Sequence, residues 1–132
     1  MKVCFLISSL FCFTIFTNAQ QTSQLRSVLE NISTQWKSDS NSCKGYRLNV
    51  SKAVLACKPD SISKAFLLSK LGKPNYTQKF FSGITKKNYV AYVYYIYMDT
   101  CPKMRVEGKA IVFAFDETES YLVEIEERDY CG

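Results

Sequence analysis

Along residues 22–37, TSQLRSVLENISTQWK, apolar side chains fall at Leu25, Val28, Leu29, Ile32 and Trp36, with polar residues between them. That three-to-four spacing lines them up on one face of a helix. SDSNSCKGY follows and is a loop by composition. Residues 46–56, YRLNVSKAVLA, favour a short second helix. A further helical stripe, Ile62, Phe66, Leu67 and Leu71, ends abruptly at Gly72-Lys73-Pro74. Pro59-Asp60-Ser61 offers this helix a cap, Gly72 supplies a left-handed terminal residue, and Pro74 bars continuation.

Past Pro74 the pattern turns extended and aromatic. Residues 77–82 read as a short strand closed by a turn at Ser82-Gly83. YVAYVYYIYM, 89–98, is almost wholly β-branched or aromatic, and AIVFAF, 110–115, is similar. Asp116 to Glu119 form a turn, and YLVEIEE, 121–127, alternates as a half-buried strand does. Helices first and a meander afterwards predict an α+β fold. Two or three N-terminal helices would pack on one face of a three- to four-stranded antiparallel sheet.

The N-terminus changes the bounds of that domain. MKVCFLISSLFCFTIFTNAQ has a basic Lys2, a mostly apolar run from Val3 to Phe16, and a small-residue ending at Thr17-Asn18-Ala19. This is the pattern of a cleaved signal peptide over residues 1–19, with the mature chain starting at Gln20. The run is too short for a comfortable membrane span, so no transmembrane segment is expected after cleavage. Phe11 precedes Cys12, where a lipid-anchoring signal wants a small residue. The 132-residue chain then leaves residues 20–132 as a single exported domain, periplasmic or secreted.

Charge is unevenly spread. The net of +5 falls to +4 without the leader, and residues 116–132 hold seven acidic groups against Arg128 alone. Nothing in this distribution matches a nucleic-acid-binding motif. Four cysteines remain in the mature chain, Cys43, Cys57, Cys101 and Cys131, an even number that predicts two disulfides in an exported domain. None of their spacings is a zinc pattern. The chain contains no histidine, which removes Ser-His-Asp and Cys-His mechanisms outright. No catalytic residue, metal ligand or cofactor is therefore expected. Glu124 and Glu126 share a strand face, a placement that suits the solvent side of a sheet better than acid–base chemistry.

Alternation along residues 89–98 places Tyr89, Tyr95 and Tyr97 on one face and Tyr92, Tyr94 and Ile96 on the other. One set should meet the helices. The other would form an exposed aromatic strip beside Val112 and Leu122. Tyrosine combines a rigid apolar body with a polar tip, so Tyr89, Tyr95 and Tyr97 are the candidate partner-binding residues, and the expected partner is a protein.

The helix ending LLSKLGKPN, then YVYYIY, then IVFAFDETESYLVEIE, resembles the SmpA/OmlA (BamE-like) envelope family. Leu71, Gly72, Pro74, Phe115 and Asp116 carry its signature. Trp36, Asp39, Ser40, Cys43 and Arg47 match a stretch found in small exported bacterial proteins with that domain. The resemblance covers about residues 25–127 and implies a BamE-like architecture. It also implies a non-catalytic binding or scaffolding role in the bacterial cell envelope. The alternative is a secreted proteinaceous inhibitor, since β-lactamase-inhibitory modules share that architecture. The triplets at Asn31, Asn49 and Asn75 match the glycosylation acceptor pattern and could carry glycans in a eukaryotic secretory path, whereas the bacterial resemblance implies chance matches. The resemblance further implies the pair Cys43–Cys101, with Cys57–Cys131 added. Cys43–Cys57 with Cys101–Cys131 stands as the rival pairing.

Overall fold

Three helices precede four strands in the computed structural model, which describes residues 17–59, 61–98, 107–118 and 121–131. The helices are α1 (Thr17–Ser38), α2 (Tyr46–Leu55) and α3 (Lys64–Leu71). The strands are β1 (Tyr76–Ser82), β2 (Lys87–Met98), β3 (Glu107–Asp116) and β4 (Leu122–Cys131). They form one antiparallel sheet in the order β1-β2-β3-β4, so each strand lies beside its neighbour in sequence. This is the expected α+β arrangement of helices followed by a meander.

α1 starts at Thr17, so the expected cleavage point after Ala19 falls in its first turn, and residues 1–16 of the leader lie outside the described residues. Among the described residues, no helix is long and apolar enough to cross a membrane. α3 takes its cap later than expected. Ser63, rather than Pro59-Asp60-Ser61, accepts the amide of Phe66 at 3.0 Å. At its other end Gly72 has φ 77° and ψ −165°. This backbone region is nearly closed to any residue with a Cβ. It differs from the left-handed helical cap expected, although glycine is required either way. The orphan carbonyls of this last turn are met by α1, where Ser33 Oγ donates to Lys70 O at 2.7 Å and Lys37 Nζ to Ser69 O at 2.5 Å.

The core lies between the helices and one face of the sheet. Leu25, Leu29, Ile32 and Trp36 of α1 and Leu67 and Leu71 of α3 pack with Tyr94, Ile96, Ile111, Phe113 and Phe115. Trp36 and Phe113 each meet the Tyr94 ring in an edge-on contact, with centroids 6.0 and 5.8 Å away. Tyr94 reaches across this core and donates its hydroxyl to Gly72 O at 2.8 Å. The far face of the sheet carries a smaller buried group, Ala91, Val93, Ala110 and Val112, with Tyr76 and Tyr95 packed against it.

Two β-bulges set which side chains reach which face. In the β2–β3 ladder Tyr95 pairs with Ala110, but Tyr97 pairs with Lys109. In the β3–β4 ladder Ala114 pairs with Glu124, but Phe115 pairs with Leu122. Each extra residue reverses the in–out alternation beyond it. Leu122 is therefore 3% exposed in the helix-side core, not beside the outer strip as strict alternation predicts.

Candidate functional site

Tyr89 and Tyr95 do share the outer face, the one turned away from the helices. Tyr97 does not. Its ladder partner Lys109 stands on the opposite face from Ala110, so the bulge at Ile96 turns Tyr97 toward the Lys109–Glu127 ion pair side. Tyr97 is 40% exposed there, whereas Tyr95 is half-buried against Tyr76, with ring centroids 6.2 Å apart. The expected three-tyrosine strip is thus two tyrosines, and its exposed part lies at the β1–β2 hairpin end.

That end is built by register. Ser82 pairs with Lys87 across the turn, which sets Phe80 directly opposite Tyr89. The two rings stack at 5.4 Å with planes 23° apart. Tyr89 is held by its own hydroxyl, which donates to Thr85 Oγ1 at 2.9 Å, while Thr85 N donates to Ser82 Oγ at 3.2 Å. Ala114 of β3 is also part of the lining, and Val123 and Glu124 of β4 complete a shallow notch of about 360 Å³. Just past Phe80, Phe81 is 60% and Ile84 is 95% exposed. Phe80 and Ile84 escape a reading based on strand 89–98 alone. Pairing the two strands across the Ser82-Gly83 turn would have brought Phe80 opposite Tyr89.

Two ion pairs lie on this face. Lys87 Nζ sits 3.0 Å from the buried Asp116 carboxylate, and Arg128 pairs with Glu126. Glu124, exposed at the rim of the notch, has no ion pair or side-chain hydrogen bond among the described residues. Glu126 is thus paired with Arg128, whereas Glu124 has no such partner among the described residues.

A second constellation gathers the residues Trp36, Asp39 and Arg47. Asp39 is 1% and Arg47 3% exposed. α2 begins at Gly45 without a side-chain cap, and the Asp39 carboxylate replaces one, accepting from Lys44 N at 2.9 Å and Arg47 N at 3.1 Å. The Arg47 guanidinium donates to Trp36 O at 3.2 Å, Tyr95 O at 3.1 Å and Asn75 Oδ1 at 3.3 Å, and lies 4.9 Å from the centre of the Trp36 ring. Ser42 Oγ donates to the same Tyr95 carbonyl at 2.6 Å. Tyr95 borders the β2 bulge, where ladder hydrogen bonding breaks, and this clasp satisfies the carbonyl there. Burial lowers the Arg47 pKa, and the nearby Asp39 and Tyr94 oppose that shift. These contacts occupy the guanidinium structurally, so Arg47 and Asp39 are fold-holding residues.

The cysteines depart from the expected pairing. Cys43 is disulfide-bonded, and its partner lies outside the described side chains. Cys101 lies outside the described residues, and Cys131 is described only as the strand residue opposite Glu107. Cys57 is a free thiol, 6% exposed in the helix-side core, with Sγ 3.2 Å from Ala53 O. Neither Cys57–Cys131 nor the rival Cys43–Cys57 is therefore formed. Burial raises the Cys57 pKa and keeps the thiol protonated. Among the described residues, no group of three or more Cys, Asp or Glu side chains is placed to hold a metal ion. No protein-family model, curated protein or solved structure matches the chain.

Proposed function

We propose that the protein is an exported, non-catalytic binding module of the bacterial cell envelope, and that it engages a protein through the outer face at the β1–β2 hairpin end. The observation that carries this reading is the apolar and aromatic surface there. Phe80 stacks on the Tyr89 ring and Ile84 stands exposed in the adjoining turn, and exposed apolar surface with a polar rim marks interaction sites. The signal-like leader and the disulfide at Cys43 support export. The BamE-like resemblance supports the envelope setting.

Capture from envelope extract of the producing cells tests the reading. The wild-type protein and a Tyr97→Ser control, altered on the other face, should retain one partner. A Phe80→Ser/Ile84→Ser double variant should lose it while its melting temperature shifts by no more than a few degrees. Equal retention by the double variant would sink the proposal. A recovered enzyme whose activity the protein suppresses would identify the inhibitor form of the same binding role.

A further inference from the structure

The hairpin notch has a chemistry of its own. Its lining includes the stacked rings of Phe80 and Tyr89, and the negative face of such a π system is supplemented by one carboxylate, Glu124. The other two carboxylates of the face are already matched, Asp116 by Lys87 and Glu126 by Arg128. Glu124 has no ion pair or side-chain hydrogen bond among the described residues, and it stands on β4, in the acidic C-terminal stretch of the chain.

We infer that the notch takes the guanidinium group of an arginine presented by the protein partner. Arginine fits better than lysine because its planar cation can lie against an aromatic ring while forking to a carboxylate. A notch of about 360 Å³ has room for the guanidinium with part of its methylene stem. Tyr89 is held in place by its bond to Thr85, so binding would not have to order that ring. The inference rests on the binding role proposed above and adds what the partner must present.

The test uses the folded protein and Nα-acetyl-arginine amide as probe, followed by amide chemical shifts. Nα-acetyl-citrulline amide, equal in shape but neutral, is the control. Saturable shifts should centre on Phe80, Tyr89 and Val123, with citrulline binding about tenfold more weakly. Glu124→Gln should weaken arginine binding about fivefold, and Phe80→Leu, which keeps apolar bulk but removes the ring, should also weaken it. Equal binding of citrulline would make the notch a plain apolar pocket and overturn the inference. Shifts centred elsewhere, or none that saturate, overturn it too. Probe binding and partner capture fail separately. A partner lost by the Phe80→Ser/Ile84→Ser variant without probe binding leaves the binding role standing and removes only the arginine. Probe binding with a partner indifferent to that variant does the reverse.

Discussion

At Arg47 a guanidinium has been taken out of water and bonded to three oxygens, the Trp36 and Tyr95 carbonyls and the Asn75 amide. Its neighbour Asp39 uses both carboxylate oxygens on backbone amides, so it offers compensating charge but no bond to the side chain. Arg47→Met should therefore destabilise the fold by about 2–4 kcal/mol, through the loss of its charged hydrogen bonds inside the fold. Urea unfolding would show this as a lower midpoint at unchanged slope. A change below about 0.5 kcal/mol would mean that the cost of burying the guanidinium cancels its bonds. Sequence reading finds Arg47, Asp39 and Trp36 as a spaced set but gives no role for them. Their common target is a backbone carbonyl beside a bulge, and a carbonyl has no residue letter.

Elements were legible wherever a local rule decides them. Helical spacing located α1, the Gly72-Lys73-Pro74 stop located the end of α3, and β-branched and aromatic density located β2 and β3. What alternation could not give was the face of Tyr97 and Leu122. Both lie beyond single-residue insertions into a ladder, and the residues at those insertions, Ile96 and Val123, are ordinary strand formers. Between elements, the Tyr94 hydroxyl ties β2 to the end of α3. Burial raises its pKa far above the ordinary tyrosine value, with only partial opposition from Arg47. An unfolded tyrosine releases its proton near pH 10, whereas folded Tyr94 holds it to higher pH. Its contribution is therefore complete below about pH 10 and is lost as the pH rises toward the folded value. Tyr94→Phe should cost about 1 kcal/mol at neutral pH. Between pH 9 and 11, roughly the range around the unfolded pKa, the variant should also lose stability less steeply than the wild type. Parallel stability–pH curves would show that this hydroxyl titrates alike in both states.

Over the whole molecule, one layer of helices covers one sheet face and leaves the other to the aromatic hairpin end. The cysteine arithmetic that suggests two disulfides treats all four thiols as available. The fold puts Cys57 among apolar side chains on the helix side, and burial is invisible to a count. Native protein treated with iodoacetamide should leave Cys57 unmodified, because the thiol is enclosed and its pKa is raised. Denaturation without reductant should expose Cys57 to alkylation while Cys43 stays protected, as peptide mass mapping would show. A Cys57 that reacts only after reduction would mean that a second disulfide forms. Trp36 adds a property of another kind. It is the only tryptophan in the chain, fully enclosed, with its indole N–H unpaired among the described residues and the Arg47 cation 4.9 Å from its ring centre. Excited at wavelengths that tyrosine does not absorb, the protein emits from this one indole. Water reaching the ring as the Arg47 contacts open would move the emission to the red, so the colour of that light reports the junction between α1, α2 and the sheet without any added label.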